Sequence, residues 1–193
     1  MKFDPLLKYE NNKLSCIASE ENISAENIFV CNMEDFINSN GECVKVQSVP
    51  TVVGVKVPVK TIEISDGNYN EDILAKFRDV LKSFENTNLF IFVIPVIEHK
   101  FSSAEEADSV ISAMKHTARR IKDCESVVGF DIPVEFLLQD TGKDLDENSW
   151  TLWFVSEMSA KHKHYLYFVS EIAVEETDLY AKVSEKDFVL YKM

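Results

Sequence analysis

The sequence predicts an α+β fold: a mixed β-sheet with two main amphipathic helices and a C-terminal antiparallel β-meander. The first indication is the longest apolar run of the chain, at residues 89–97, which is typical of a buried strand. The second is a helix-period segment on each side of this run, at residues 70–86 and 103–122. The third is the strand-like alternation that follows them. A length of 193 residues suits one domain, residues 1–193, in which residues 1–66 would form a β-rich N-terminal subdomain.

The N-terminal third is rich in predicted strands. Residues 14–18 and 28–31 are short apolar segments, and valine alternates with other residues over 53–59, which gives one apolar strand face. Pro58 cannot donate a ladder hydrogen bond, so this strand is predicted to lie at a sheet edge or to break there. The alternation then changes phase over residues 60–64, which indicates a bulge or a new strand.

The two helices are predicted to pack on the central strand. Asn70 is a suitable N-cap for the first helix, and its apolar residues fall on one face. Ser103 and Glu106 form a capping box for the second helix. Because the central run shows no alternation, both of its faces are predicted to be covered.

The C-terminal third contains a short internal repeat. Leu-Trp-Phe-Val-Ser-Glu at residues 152–157 nearly recurs as Leu-Tyr-Phe-Val-Ser-Glu at residues 166–171. We interpret the two segments as an antiparallel hairpin, because β-branched and aromatic residues favour strands. The alternative for the first segment is a helix over residues 149–161. A second hairpin is predicted from residues 179–183 and 188–191.

Composition and charge exclude several classes of protein. The net charge is −13, and residues 123–193 hold −9 of it, with 15 acids and six bases. Such a surface disfavours nucleic acid and anionic membranes, and it would attract a protein partner with a basic surface. The four cysteines match no zinc site, and the apolar run is too short to span a bilayer. The first ten residues hold no apolar segment of the signal-peptide kind, so we expect a cytoplasmic protein with free thiols and without metal or cofactor.

Carboxylates near predicted strand ends are the catalytic candidates. The five isolated glycines allow no dinucleotide-binding, P-loop or α/β-hydrolase signature. Glu98 and His99 follow the central strand, and Glu135 lies near the end of a later strand predicted over residues 126–137. In open α/β sheets, ligands gather at the carboxyl ends of strands, where two carboxylates can act as acid and base in hydrolysis.

The segment Val127–Glu135, Val-Val-Gly-Phe-Asp-Ile-Pro-Val-Glu, resembles the fourth-strand segment of retaining glycosidase barrels. It lacks the Asn that precedes the acid in that family, and a chain of 193 residues is too short for a full barrel. The resemblance therefore identifies no family. It implies a glycosidase-like hydrolase only as an alternative function.

Aromatic residues of the predicted hairpin are the candidates for partner binding. Trp153, Tyr165 and Tyr167 would share one hairpin face, and Trp and Tyr are enriched at binding hot spots. Arg119 and Arg120 would suit an anion, but the dipole of the second helix also accounts for them. The main hypothesis is a non-catalytic, acidic cytosolic domain that binds a protein partner. The alternative is the small hydrolase with paired carboxylates at strand ends.

Overall fold

The computed structural model describes residues 4–24, 27–44, 48–98, 103–146, 148–177, 183 and 188–192. In chain order its strands and helices are β1 (Leu7–Glu10), β2 (Lys13–Cys16), β3 (Asn22–Ile23), β4 (Ile28–Asn32), α1 (Met33–Asn38), β5 (Thr51–Pro58), α2 (Val59–Ile62), β6 (Glu63–Ser65), β7 (Asn68–Tyr69), α3 (Glu71–Lys82), β8 (Leu89–Val96), α4 (Ala104–Arg120), β9 (Val127–Asp131), α5 (Val134–Asp140), α6 (Trp150–Ser159), β10 (Leu166–Ser170), α7 (Glu171–Thr177) and β11 (Val189–Tyr191).

The central feature is a six-stranded sheet in the order β4-β5-β8-β9-β10-β11, in which every neighbouring pair of strands is parallel. The spatial order of these six strands is the same as their order along the chain. The sheet curls like half of a barrel. The chain is therefore an α/β protein, and the predicted α+β fold with a C-terminal antiparallel meander is wrong. Parallel neighbours need crossover connections, which the intervening helices provide.

The predicted first hairpin is also wrong, because its first half is the helix α6. Ser149 is the N-cap, and its Oγ accepts a hydrogen bond of 3.2 Å from the backbone N–H of Leu152. The buried face of the helix includes Phe154 and Met158. The second half, β10, is a strand as predicted, but it pairs with β9 and β11 in parallel. In the predicted second hairpin, residues 179–182 lie outside the described part of the chain.

Two further predictions depend on prolines. The strand β5 ends at Pro58, and α2 begins at the next residue, so the predicted break is found there. β5 lies inside the sheet, between β4 and β8. The strand predicted over residues 126–137 is wrong in its second half: it ends at Asp131, and Pro133 introduces α5. The fixed φ of proline suits a helix start and not a continued ladder.

Two apolar cores lie on the two faces of the parallel sheet. On the convex face, β5 and β8 pack against the buried sides of α3 and α4, which lie within the predicted helical segments. On the concave face, side chains such as Phe92 and Phe168 pack against Leu7, Leu14 and Ile23 of the antiparallel sheet β1-β2-β3. β8 is covered on both faces, as predicted, and all of its residues except Val96 are buried.

Gly54 in the sheet permits this close packing on the concave face. A Cβ atom there would lie 2.5 Å from Ile94 Cδ1 and 2.6 Å from Phe92 Cζ. The antiparallel sheet β1-β2-β3 covers this concave face, which in a complete barrel would be enclosed by further strands of the barrel itself.

Candidate functional site

Three polar residues end three adjacent strands of the parallel sheet: Asp131 ends β9, Ser170 ends β10 and Tyr191 ends β11. Ser170 is the register partner of Tyr191, and Asp131 is the partner of Phe168, two residues before Ser170. Side chains alternate along a strand. Because Phe168 and Val189 pack in the concave core, Ser170 and Tyr191 point to the same concave side.

A cavity of about 240 Å³ opens at these strand ends, and we call it the carboxyl-edge cavity. Its lining consists of Lys56, Ile94, Pro95, Val96, Ile97, Asp131, Ile132, Val134, Glu135, Ser170, Ile172, Ala173 and Tyr191. None of these residues belongs to β1, β2 or β3, so the small sheet does not line this cavity. In α/β sheets this edge is where ligands bind.

Each of the three polar side chains carries a poorly satisfied buried atom: Ser170 Oγ has no hydrogen-bond partner among the described residues, and Asp131 Oδ1 and the Tyr191 hydroxyl have none apart from the interaction of these two side chains with each other. The residues are only 6%, 5% and 1% exposed. More than nine in ten buried polar groups in proteins are hydrogen-bonded, and each exception costs about 1–3 kcal/mol. Three such atoms at one cavity make these side chains candidates for contact with a ligand.

Burial also sets the protonation state of this site. Burial is the main cause that raises the pKa of Asp131 well above its usual value, and the nearby Glu135 adds to the rise. The Tyr191 hydroxyl and the backbone N–H of Ile132 act in the opposite direction on this pKa without cancelling the rise. Burial, and then Asp131, raise the pKa of Tyr191. The cavity therefore favours uncharged forms of both side chains.

The structure separates the two predicted catalytic carboxylates, Glu98 and Glu135. Glu135 lies in the first turn of α5 and lines the carboxyl-edge cavity. Glu98 is exposed, forms an ion pair with Lys60 and does not line this cavity. His99 lies outside the described residues. Of the predicted carboxylates, only Glu135 therefore faces the same cavity as Asp131.

The three predicted partner-binding residues do not share a hairpin face. Trp153 lies on α6 and is half-buried against the convex core. Tyr165 and Tyr167 are buried, and the Tyr167 hydroxyl donates to the Val155 carbonyl at 3.3 Å. A role of these three side chains in partner binding stays a prediction.

Sequence reasoning missed Asp131, Ser170 and Tyr191. The available signal is that each polar residue directly follows the apolar residues of a strand, as in Phe-Asp, Val-Ser and Leu-Tyr. This signal identifies a common site only when the three strands are known to be parallel neighbours, and the predicted antiparallel meander separated them.

The described residues contain neither a membrane-spanning helix nor a group of metal ligands. No helix among them is long and apolar enough to cross a membrane. No three or more His, Cys, Asp or Glu side chains among them are grouped so that they would hold a metal ion.

Comparison with known proteins gives a weak structural likeness. No family model matches the sequence, and no curated protein matches it. The chain is similar in structure to a GH5_18 protein from Bifidobacterium longum subsp. infantis, with a TM-score of 0.45 and 10% identity over 72% of this chain and 37% of that chain. It is equally similar to a GH5_18 variant from Bifidobacterium longum subsp. longum ATCC 55813 in complex with Manb1-4GlcNAc, with a TM-score of 0.45 and 10% identity over 72% of this chain and 38% of that chain. The chain thus spans less than two fifths of the length of either structure, and a likeness this low assigns no activity.

Proposed function

We propose that the carboxyl-edge cavity binds a small, uncharged molecule rich in hydroxyl groups, and that Asp131 is the general acid of a hydrolytic reaction on it. The observation that supports this proposal is the set of three poorly satisfied buried polar atoms at the ends of β9, β10 and β11, all at one cavity.

The chemistry of the cavity favours this class of ligand. A carboxylic acid and two hydroxyl groups can each donate and accept hydrogen bonds, which matches the hydroxyl groups of a sugar or another polyol. The remaining wall is mostly apolar. A charged ligand would lose its hydration there. Besides Asp131, Lys56 and Glu135 are the only ionisable carboxyl or amino groups among the lining residues. A volume of about 240 Å³ restricts the ligand to a small molecule or one unit of a larger one.

Asp131 and Glu135 lie in different surroundings and would act as general acid and general base, respectively. A buried acid with a raised pKa keeps its proton and gives it to the leaving oxygen as the carbon–oxygen bond breaks. Glu135 is half-buried in the lining of the same cavity and is the candidate that accepts a proton from the attacking water. The water oxygen forms the new bond to carbon, so that the products are two hydroxyl compounds. The protein-partner hypothesis involves other residues and stays a prediction.

The test is an assay of the full chain against a panel of chromogenic glycosides, with binding of simple sugars measured in parallel by NMR. Asp131→Asn removes the transferable proton and keeps the shape of the side chain, so we expect hydrolysis to fall at least about 100-fold. Asp72→Asn, at an exposed position on α3, is the matched control and is expected to keep wild-type activity.

The proposal fails if the wild-type chain neither binds nor hydrolyses any compound of the panel. It also fails if Asp131→Asn is as active as the wild type. Circular dichroism of each variant shows whether a loss of activity reflects a loss of fold.

A further inference from the structure

A second, larger cleft lies at the opposite edge of the parallel sheet, where β9 and β10 begin. Its volume is about 800 Å³. The C-terminal half of α4 forms one side, and the turn at residues 160–164, which leads into β10, forms another. The lining consists of Asp4, Tyr69, Ser112, Lys115, His116, Arg119, Lys122, Glu157, Ala160, Lys161, His162, Lys163 and His164. We call it the basic cleft.

The charge of the basic cleft is opposite to that of the whole chain. The chain carries a net charge of −13, whereas the cleft is lined by five Lys or Arg residues and only two acids. It also holds three of the four histidines of the chain. The C-termini of α4 and α6 lie nearby, and each contributes about half of a negative charge. The five basic and two acidic side chains give the cleft three excess positive charges, and the two helix C-termini together offset about one of them. The helix dipoles therefore do not explain why so many cations lie here.

Four of the cations in the basic cleft have no carboxylate at ion-pair distance among the described residues: Arg119, Lys122, Lys161 and Lys163. Cations nearby on α3 and α4 are paired, such as Arg78 with Asp123 and Arg120 with Glu71. The unpaired charges converge on one concave surface. Clefts lined by charges of one sign focus the electric field and concentrate ions of the opposite sign.

Arg119 is held in place by a neutral histidine. Its Nη2 donates to His116 Nδ1 at 2.9 Å, and because a guanidinium is only a donor, Nδ1 carries no proton. The proton is therefore on Nε2, which donates to Glu71 Oε1 at 2.9 Å. Burial and Arg119 lower the pKa of His116, which agrees with a neutral ring. The Tyr69 ring stacks on the His116 ring with the centroids 3.9 Å apart. This contact holds the His116 ring in the orientation in which it accepts the hydrogen bond from Arg119.

We propose that the basic cleft binds a phosphorylated small molecule with two or more negative charges. Arg presents a planar fork of donors that fits phosphate oxygens, and the three lysines add point charges. A cleft of about 800 Å³ is much larger than inorganic phosphate and has the size of sites for metabolites and cofactors. An extended polyanion such as RNA is disfavoured by the net charge of −13 on the whole chain.

The experiment is isothermal titration calorimetry, in which the Kd of the full chain is measured for inorganic phosphate, pyrophosphate and ATP at moderate salt concentration. We expect pyrophosphate or ATP to bind with a Kd of about 1 mM or tighter, and inorganic phosphate to bind more weakly. The double variant Arg119→Gln with Lys122→Gln is expected to weaken binding about 100-fold, since a hydrogen bond to a charged group is worth about tenfold in affinity.

A second double variant, Lys161→Gln with Lys163→Gln, tests the opposite wall through two exposed residues of the turn before β10. It is expected to weaken binding at least about tenfold and to keep the fold, even if the Arg119 variant does not. The matched control is Lys13→Gln with Lys76→Gln, which removes two exposed charges outside the basic cleft. Its affinity is expected to stay within about twofold of the wild type.

The proposal is overturned if neither pyrophosphate nor ATP binds the wild-type chain, or if the control weakens binding as much as the two cleft variants do. Tighter binding of an RNA oligonucleotide than of ATP, lost in the same variants, would overturn it in favour of a nucleic-acid site. Asp131→Asn is expected to leave this binding unchanged. A negative result for phosphate binding in the basic cleft is therefore distinguishable from a negative result for the carboxyl-edge cavity.

Discussion

Two buried aspartates nine residues apart, Asp131 and Asp140, show how differently this fold treats the same side chain. Asp140 is 0% exposed, and its two carboxylate oxygens accept hydrogen bonds from the backbone N–H groups of Trp150 at 3.0 Å and Thr151 at 2.8 Å. Asp131 is 6% exposed, and the groups that act on its carboxyl group in favour of the charged form are the Tyr191 hydroxyl and the Ile132 backbone N–H.

The difference separates a structural carboxylate from a functional candidate. Together with Ser149, Asp140 satisfies the first three N–H groups of α6, so its burial stabilises the fold. The Tyr191 hydroxyl and the Ile132 backbone N–H favour the Asp131 carboxylate, but they do not offset its burial, which disfavours the charged form. Residues that cost stability without a structural reason are candidates for function.

The largest expected effect comes from Asp140→Ala. Two charge-assisted hydrogen bonds to the start of α6 are lost, and two backbone N–H groups are left buried, so the free energy of unfolding should fall by about 3 kcal/mol. Urea denaturation measures it. Asp140→Asn keeps one acceptor oxygen and should lose about 1 kcal/mol. An unchanged Asp140→Ala variant would show that α6 does not depend on this cap.

Asp131→Asn is expected to change stability in the opposite direction. At neutral pH it removes an ionisable group that the cavity disfavours, so the free energy of unfolding should rise by about 1–2 kcal/mol. Thermal and urea denaturation at pH 7 check the sign. A loss of more than about 1 kcal/mol would mean that Asp131 has a structural role like that of Asp140.

The pH dependence of stability sharpens the same comparison. The pKa of Asp131 in the folded state lies well above its ordinary value of 3.8, so the folded protein keeps a proton that the unfolded chain has already lost. The stabilising contribution is therefore fully present below pH 3.8 and is lost as the pH rises towards the folded pKa.

Between pH 3.8 and the pKa of Asp131 in the folded state, the free energy of unfolding of the wild type should fall by up to about 1.4 kcal/mol per pH unit relative to that of Asp131→Asn. Urea denaturation of both proteins at a series of pH values gives this difference, and the variant cancels the contributions of all other groups. A difference that stays constant with pH would contradict the raised pKa.

Ser170→Ala has the smallest expected effect on stability. Its Oγ is buried without a partner in the described structure, so its removal should raise the free energy of unfolding by about 1 kcal/mol. Binding of a hydroxylated ligand should weaken about tenfold, because one hydrogen bond is lost. Denaturation and NMR titration of the same sample measure the two effects. A large loss of stability would indicate a hidden structural contact of the hydroxyl.

The comparison also explains why α6 was interpreted as a strand. Its composition, with Thr151, Val155 and several aromatic residues, favours strands locally. The helix is decided by Asp140, which lies ten residues before Trp150 and caps α6 through tertiary structure. A local pattern cannot contain that interaction. The helix over residues 149–161 that stood as the alternative is the one the structure shows, and Ser149 caps its start.

By itself, the sequence determined the elements whose signals are local. The caps at Asn70 and Ser103 start α3 and α4, and the unbroken apolar run of β8 is buried on both faces. Only the tertiary structure decided how the strands pair and which carboxylates meet. Parallel pairing joins strands that are separated by whole helices, so no short pattern records it. That pairing brings Asp131, Ser170 and Tyr191 together at one edge, and it leaves Glu98 outside the cavity.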